Sequence, residues 1–380
     1  MEPADVISPA FWADPATADA GGAAVPCVPG LENHVLFQTS GSSGPPHRVA
    51  LSKHALLASA QAVNRHLHVT AADCWGLALP LRHVGGFGVA ARAFEAGCRF
   101  ASFAPRWDAA AFCSWLDECH VSLTSLVPTQ VHDIVSGNLR APSCLRAVVV
   151  GGGRMDETTG RAARALGWPV LASYGMTEAA SQIATQPLAD LDNIYQPAPI
   201  PLLPIWRADL ANDGRLKIAG PALFSGTVVN DDGGWRYIPR AGEWHITEDR
   251  VELNRGLLSP LGRADSLVKV LGELVDPEEI ERALTGLSGG RLAPGCFVVV
   301  AVPAARSGHV LVPVFDAAVD RALADESVKS HSAGAAGPWR LEQPLFLASF
   351  PRGALGKPLR AEIRLLACSH MARALPGLPP

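Results

Sequence analysis

The chain has 380 residues, with 32 basic and 36 acidic side chains and a formal net charge of -4. No Lys/Arg cluster is longer than two residues and no apolar run approaches the roughly 18 residues of a membrane span, so neither a nucleic-acid nor a membrane surface is indicated. The eight cysteines form no Cys-x-x-Cys pair, which argues against a zinc site or a disulfide framework. We expect a soluble, cytoplasmic protein of two or three domains whose partners are small molecules.

Strand-like and helical stretches alternate in the first part of the chain. Ser52 precedes apolar residues at helical spacing, a strand-like run over 75–79 ends at Pro80, and a small-residue helix covers about 88–96 and stops at Gly97. Further β-rich runs at 121–127, 146–150 and 169–172 indicate an α/β domain. Ligands of such domains gather at the carboxyl ends of strands, where the segments 125–130, 151–153 and 173–178 would lie.

Hairpin signals replace this alternation from about residue 201. Turns at 212–214 and 231–234 each precede a strand-like run, which predicts a β subdomain. Asp276 and Pro277 then open a helix as cap and first residue, and two strands, a short helix, a strand and a closing helix from about 359 follow. The predicted architecture is a large N-terminal α/β domain with a β subdomain over 1–262 and a small C-terminal α+β domain over 263–380.

A loop of glycine and hydroxyl residues follows the apolar run 35–37. Glycines let consecutive N–H groups converge on an anion and hydroxyls add donors, so the loop predicts a phosphate cradle between a strand and a helix. Pro45 excludes a loop of the Walker type, and a flexible linker is the alternative interpretation. The predicted cradle consists of Thr39, Ser40, Gly41, Ser42, Ser43 and Gly44.

Five stretches, at 39–44, 79–83, 173–178, 262–280 and 351–357, occur in one order along the chain. In type and order they resemble the motifs of the acyl-adenylate-forming (AMP-binding) superfamily of acyl-CoA synthetases, adenylation domains and luciferases. Segments 125–130, 151–153 and 174–183 are most similar to those of the o-succinylbenzoate–CoA ligases of menaquinone biosynthesis. The resemblance implies that superfamily's fold, with a mobile C-terminal domain, shortened at the N-terminus because only 38 residues precede Thr39.

The resemblance also implies a nucleotide site. The cradle would hold the β- and γ-phosphates and then pyrophosphate, Glu178 beside Thr177 would bind Mg²⁺, and Tyr174 would lie against adenine. Asp249 and Arg263 would contact the ribose, although Glu248 stands where the family has glycine. Beyond the cradle, the candidate nucleotide-binding residues are His47, Gly151, Gly152, Gly153, Tyr174, Gly175, Met176, Asp249 and Arg263.

The resemblance implies a catalytic role mainly for Lys357. Its ammonium could reach the substrate carboxylate and the α-phosphate together, whereas a solvated surface lysine is the alternative. Asp265 would be the hinge of the C-terminal domain, and Gly272 would lie near the CoA channel. His83 would line the acyl pocket, with a structural histidine as the alternative. The candidates for the polar end of the acid are Arg82, Thr129, Ser181 and Gln182.

One departure concerns the loop lysine of the family, which is His47 here; Arg48, or a protonated His47, could supply the charge. The resemblance implies an ATP- and Mg²⁺-dependent ligase that forms acyl-AMP and then acyl-CoA, with o-succinylbenzoate as the expected acid. One alternative is an adenylation enzyme that charges a carrier protein or an amine, and another is a non-catalytic nucleotide-binding homologue. The oligomeric state is left open, a homodimer included.

Overall fold

The computed structural model describes residues 1–23, 25, 28–38, 47–231, 234–271, 273–304, 307–353 and 356–374. The chain divides into two compact units, Met1–Thr247 with Val251–Pro260, and Glu248–Arg250 with Leu261–Pro380. The division into an ATP-binding domain and a mobile lysine-bearing domain stays a prediction. Among the described residues, no helix is both long and apolar enough to cross a membrane.

The larger unit contains helices and strands in alternation, followed by hairpins. Its helices are α1 (Pro3–Val6), α2 (Pro9–Ala13), α3 (Lys53–His66), α4 (Val84–Ala96), α5 (Ala109–Glu118), α6 (Pro128–Ser136) and α7 (Glu157–Ala165), with 3-10 turns at Thr177–Ala179 and Leu188–Asp192. Its strands are β1 (Ala18–Asp19), β2 (His34–Gln38), β3 (Arg48–Ser52), β4 (Cys74–Leu77), β5 (Arg99–Ser102), β6 (Leu123–Leu126), β7 (Ala147–Val150), β8 (Val170–Met176), β9 (Ser181–Thr185), β10 (Ile200–Pro201), β11 (Arg207–Leu210), β12 (Arg215–Ala219), β13 (Gly226–Asp231) and β14 (Gly234–Pro239). Two further strands, β15 (His245–Asn254) and β16 (Leu257–Arg263), contribute residues to both units.

A six-stranded sheet in the order β5-β4-β6-β7-β8-β9 forms the centre of the larger unit. All its neighbouring strands are parallel except β8 and β9. Strands β4, β6 and β7 are buried along their whole length, as expected for a sheet covered on both faces. The carboxyl ends of β6, β7 and β8 therefore lie at one edge, and the candidate segments 125–130, 151–153 and 173–178 begin there.

A second sheet has the order β1-β2-β3-β13-β14, and a third the order β10-β16-β15-β12-β11. The second sheet corrects one expectation. The segment after the predicted cradle forms β3, which pairs antiparallel with β2, so the loop joins two strands of a hairpin and does not lead directly into a helix. The apolar residues 49–51 fill a short buried strand before Ser52 caps α3, accepting a bond of 3.0 Å from the Ala55 N–H.

Helix α4 begins at Val84, four residues before the predicted start near 88, and ends at Gly97 with φ 59° as expected. Gly85 and Gly86 therefore lie inside the helix. A Cβ on Gly86 would come within 2.4 Å of the Pro80 carbonyl oxygen, so glycine there permits close packing against the preceding loop.

The smaller unit has a three-stranded sheet covered on both faces. Its elements are β17 (Val268–Val270), β18 (Glu273–Val275), α8 (Pro277–Leu287), β19 (Phe297–Ala304), β20 (Gly308–Asp316), α9 (Arg321–Gly334), β21 (Leu345–Leu347) and α10 (Arg360–Ala374), with 3-10 turns at Ala264–Ser266 and Gly337–Trp339. Side chains alternate along β19: Val299 packs in the cluster that contains Leu284 of α8, and Val300 packs in the cluster that contains Ile363 of α10. Asp276 caps α8 as predicted, accepting a bond of 2.9 Å from the Glu278 N–H.

Candidate active site

The hairpin of β8 and β9 carries the densest group of candidate residues in the larger unit. Gly175 and Met176 end β8, Thr177 and Glu178 form the 3-10 turn, and Ser181 begins β9. The register shifts between Tyr174 and Gly175, which is a β-bulge.

Backbone strain concentrates on the return side of this hairpin. Ala180 has φ 49° and Ser181 has φ 100°, both positive and unfavourable for residues with a side chain. The buried Ser59 hydroxyl donates a bond of 2.9 Å to the Ala180 carbonyl oxygen and so stabilises the strained turn from α3. Strain held in place by surrounding structure is typical of functional sites.

Glu178 is the candidate metal ligand, and its backbone is anchored because its carbonyl oxygen accepts a bond of 2.8 Å from the Phe224 N–H. His245, which the sequence did not point to, lies near Glu178 and meets the Phe224 ring edge-on at 5.0 Å. Burial lowers the pKa of His245, an effect that the Glu178 charge opposes and the Arg240 charge reinforces. Among the described residues no group of three His, Cys, Asp or Glu could hold a metal. One carboxylate nevertheless suits Mg²⁺, which usually takes one or two together with substrate phosphates.

The glycine triplet follows β7 directly. The Gly151 N–H donates a bond of 3.1 Å to the Leu126 carbonyl oxygen, which continues the β6–β7 pairing into the loop. Gly152 has φ 75°, a conformation that favours glycine, and Gly152 and Gly153 are exposed. Gly151 lies next to Ser173 on β8, so the triplet and the half-buried Tyr174 occupy the same sheet edge.

Arg92, in the middle of α4, is the functional candidate that the sequence reasoning missed. Its side chain is 1% exposed, and its guanidinium donates to the hydroxyls of Ser125 at 3.2 Å and Ser181 at 3.4 Å. No acidic side chain among the described residues pairs with it, and its Nε atom is buried without a hydrogen-bond partner. Burial lowers the pKa of Arg92 to about 10, so the group stays cationic near neutral pH. A desolvated cation without a counter-ion is costly in a protein interior, and the Trp75 ring, 5.2 Å from the guanidinium, offsets part of that cost. Arg92 is therefore a candidate for binding an anionic group.

The other candidates for the acid pocket differ in exposure. Arg82 is exposed and Thr129 is half-buried on the first turn of α6. Gln182 is buried, and its Oε1 atom accepts a hydrogen bond of 3.2 Å from the Thr185 hydroxyl. That oxygen therefore already has a partner within β9. Of the four, Ser181 is the one whose hydroxyl meets Arg92.

His83 occupies the N-cap position of α4, and its Nε2 atom is buried without a hydrogen-bond partner. Burial lowers its pKa, and the neighbouring Arg82 charge lowers it further. A neutral imidazole is therefore favoured, and its buried Nε2 atom has no hydrogen-bond partner among the described residues.

Arg48 was expected to supply the positive charge that the family's phosphate loop takes from a lysine, but its side chain pairs with Asp19. Its guanidinium donates a bond of 2.8 Å to the buried Asp19 carboxylate and lies 4.4 Å from the centre of the Trp235 ring. The suggestion that Arg48 replaces the family lysine is therefore not supported by its contacts. His47, the residue at the lysine position, is half-buried just before β3.

Three of the remaining candidates that the structure describes, besides Asp249, belong to the smaller unit: Arg263, Asp265 and Lys357. Arg263 lies 3.6 Å from Asp249, so the two residues predicted to contact ribose form an ion pair. Asp265 belongs to the 3-10 turn Ala264–Ser266, and Lys357 is exposed after Gly356, which has φ 74°. Seven candidates lie outside the described residues: Thr39, Ser40, Gly41, Ser42, Ser43, Gly44 and Gly272.

Residues 10–226 match the family described as AMP-binding enzyme, and the chain belongs to this family. Among curated proteins it is similar to the 2-succinylbenzoate–CoA ligase of Escherichia coli K12, with 31% identity over 323 residues that cover 82% of this chain and 64% of that enzyme. The Salmonella typhimurium ligase of the same name is 34% identical over 255 residues, covering 65% of this chain and 50% of that enzyme. The chain thus spans less than two thirds of the length of these two relatives.

Solved structures give the same result for the fold. A variant of Escherichia coli MenE with bound OSB-AMS has a TM-score of 0.71 at 25% identity, covering 88% of this chain and 69% of that one. Bacillus subtilis o-succinylbenzoate CoA synthetase with its intermediate OSB-AMP has a TM-score of 0.71 at 23% identity, covering 87% and 68%. The predicted acyl-adenylate-forming fold, with a large N-terminal and a smaller C-terminal part, is confirmed.

Proposed function

We propose that this protein is an AMP-forming acid–thiol ligase that converts o-succinylbenzoate to its CoA thioester in menaquinone biosynthesis. The carboxylate attacks the α-phosphate of ATP to give acyl-AMP and pyrophosphate, and the CoA thiol then displaces AMP. Membership of the AMP-binding family and similarity to ligases named for 2-succinylbenzoate support the proposal. The cytoplasmic location stays a prediction, and the oligomeric state, a homodimer included, stays open.

Arg92 is the observation that carries the choice of acid. o-Succinylbenzoate has two carboxylates, of which only one reacts, so the other must be accommodated as an anion. The buried Arg92 guanidinium lies between two serine hydroxyls, and no acidic side chain in the described part of the chain pairs with it, which suits such a group. Ser181 and Arg92 together would bind the non-reacting carboxylate, and His83 would line the approach of the reacting one.

Electrostatic stabilisation accounts for most of the proposed chemistry. Lys357 would supply positive charge where the carboxylate and the α-phosphate meet, and it would stabilise the negative charge that moves between them during the attack. Glu178 would hold Mg²⁺, which when bound neutralises phosphate charge. Residues 39–44 would donate to the β- and γ-phosphates, while Asp249 would accept hydrogen bonds from the ribose hydroxyls.

Acid-dependent pyrophosphate release with ATP and Mg²⁺ tests the proposal. o-Succinylbenzoate would be compared with benzoate, a fatty acid and an amino acid, each with and without CoA. We expect release with o-succinylbenzoate and a thioester only when CoA is present. Release without CoA consumption would favour an adenylation enzyme with another acceptor, and tight ATP binding with no release from any acid would favour a non-catalytic homologue.

A further inference from the structure

The loop that carries Lys357 is tied to the smaller unit's sheet by one side chain. The Arg352 guanidinium donates 2.7 Å to the Gly295 carbonyl oxygen and 3.1 Å to the Gly356 carbonyl oxygen through Nη1. Through Nη2 it donates 3.0 Å to the Asp316 carboxylate. One planar group therefore joins the segment before β19, the end of β20 and the peptide that precedes Lys357.

The acceptors of Arg352 are themselves fixed. The second oxygen of Asp316 accepts a bond of 3.0 Å from the Ala318 N–H, so its carboxylate is held from both sides. The guanidinium also lies 5.0 Å from the centre of the buried Phe350 ring. The planar guanidinium donates in fixed directions to acceptors that are themselves held, so it fixes the orientation of the Gly356 carbonyl group as well as its distance. The single ammonium group of a lysine at this position would not fix that orientation.

The Gly356 carbonyl belongs to the peptide bond that contains the Lys357 nitrogen, so this contact fixes the plane from which the lysine side chain departs. The loop closes on itself as well, because the Gly353 N–H donates 2.8 Å to the Lys357 carbonyl oxygen and the Gly356 N–H donates 2.9 Å to the Gly353 carbonyl oxygen. The backbone of Lys357 is thus held while its exposed side chain is left to react.

Folding stability alone gives little reason for this arrangement. The Arg352 and Asp316 side chains are 34% and 26% exposed, and an ion pair that solvent reaches contributes little to folding stability. Misplacing a reacting group by about 1 Å, in contrast, can cost roughly 100-fold in rate.

We propose that Arg352, fixed by Asp316, is a positioning residue that holds the Lys357 backbone in the orientation needed for adenylate formation. The inference rests on the proposed function for its kinetic consequence, but the ordering of the loop can be measured without any reaction. The two aspects therefore have separate readouts.

Hydrogen exchange over residues 350–360 is the first readout. Arg352→Ala and Asp316→Ala should speed amide exchange there, by roughly tenfold for Arg352→Ala, because bonds to a charged group are lost. The control is Arg321→Ala, which removes another arginine that lies over a phenylalanine of the same unit, Phe346 at 4.3 Å, without touching the loop. Unchanged exchange in Arg352→Ala would overturn the proposal even if the protein activates no acid.

Half-reaction kinetics are the second readout. Arg352→Ala should lower kcat for adenylate formation by about 10- to 100-fold, leave KM for ATP nearly unchanged, and spare thioester formation from supplied acyl-AMP. Arg352→Lys should recover only part of the rate, and the Arg352→Ala/Asp316→Ala double variant should resemble Arg352→Ala because the two residues act as a unit. Faster exchange with unchanged adenylation, or equal losses in both half-reactions, would reduce Arg352 to a structural residue and overturn the proposal. Absence of adenylation in the unmodified protein would instead count against the proposed function.

Discussion

The Ser181 carbonyl oxygen lies 1.6 Å from the point where a Cβ atom on Gly175 would be. No rotation of a side chain relieves such a contact, because the oxygen belongs to the backbone and the position of a Cβ atom is fixed by the backbone. We expect Gly175→Ala to force the β8–β9 hairpin apart, to destabilise the fold by several kcal/mol and to abolish adenylate formation, as measured by thermal unfolding and pyrophosphate release.

Gly286→Ala is the matched control, since a Cβ at this position in α8 meets nothing within 4 Å. Alanine in a helix is about 1 kcal/mol more favourable than glycine, so this variant should be as stable as the unmodified protein or slightly more so. A folded, active Gly175→Ala protein would show that the hairpin opens more easily than its contacts imply.

Arg92→Ala should discriminate between acids. Loss of the buried guanidinium should lower kcat/KM for o-succinylbenzoate by roughly 30-fold or more, the cost of removing one partner of a buried charge pair, and should leave benzoate almost unaffected. Arg65→Ala, which removes an exposed arginine from α3, serves as control. Equal losses of kcat/KM with both acids would show that Arg92 stabilises the fold and does not bind the second carboxylate.

Lys357→Ala should separate the two half-reactions. We expect adenylate formation to fall by roughly 100- to 1,000-fold, because a donor to developing charge is lost, while supplied acyl-AMP is still converted to thioester. The comparison requires rapid-quench assays of each step with the same protein preparation. Equal loss in both steps would contradict the role assigned to this lysine.

His47→Lys restores the family's residue at the loop position. A lysine carries its charge near neutral pH, so we expect this variant to lower KM for ATP or to raise the adenylation rate several-fold between pH 7 and 8. Arg48→Ala should instead lower the unfolding free energy by about 1–3 kcal/mol, because the buried Asp19 carboxylate loses the hydrogen bond from the Arg48 guanidinium. Unchanged kinetics in the His47→Lys protein would show that adenylation does not require a lysine charge at this position of the loop.

The Asp73 carboxylate should make the free energy of unfolding decrease at acid pH. Burial raises the pKa of this carboxyl, but hydrogen bonds from Arg146, Thr70 and Ser122 outweigh burial and lower it from 3.8 to about 2. Because the folded state favours the carboxylate, its contribution of roughly 2 kcal/mol is complete above about pH 4 and is lost as the pH falls towards 2.

Denaturant unfolding of Asp73→Asn between pH 2 and 7 measures this contribution. The variant should be less stable at pH 7 and should converge with the unmodified protein near pH 2. Glu118→Gln, which removes an exposed carboxylate from α5, should leave the acid limb of the curve unchanged. Parallel curves for Asp73→Asn and the unmodified protein would exclude Asp73 as the source of acid sensitivity.

Local signals predicted much of the fold. Ser52 and Asp276 begin helices because a cap precedes residues at helical spacing, and both caps form the expected bonds. The β2–β3 hairpin was not predicted, because a three-residue apolar run before a cap looks like the approach to a helix until its strand partner is known.

The surroundings of Arg92 depend on contacts that no local pattern contains. Ser125 and Ser181 are 33 and 89 residues from Arg92 along the chain, and tertiary packing alone brings them together. One signal was available: Arg92 is the single charge in the otherwise apolar stretch 84–94, which a helix must bury on at least one face. A buried cation in such a stretch requires an anion or a polar partner.

If the proposed acid binds at Arg92, the protein's melting temperature would report its binding. A guanidinium held away from water, with no acidic partner among the residues that the structure describes, lowers the stability of the folded chain. A carboxylate ligand bound there would offset that cost only in the folded state. An acid at 100 times its dissociation constant stabilises the fold by about 2.7 kcal/mol whether or not it is ever activated. Calorimetry could therefore rank dicarboxylates, and competitive inhibitors that resemble them, in a protein that is given no ATP.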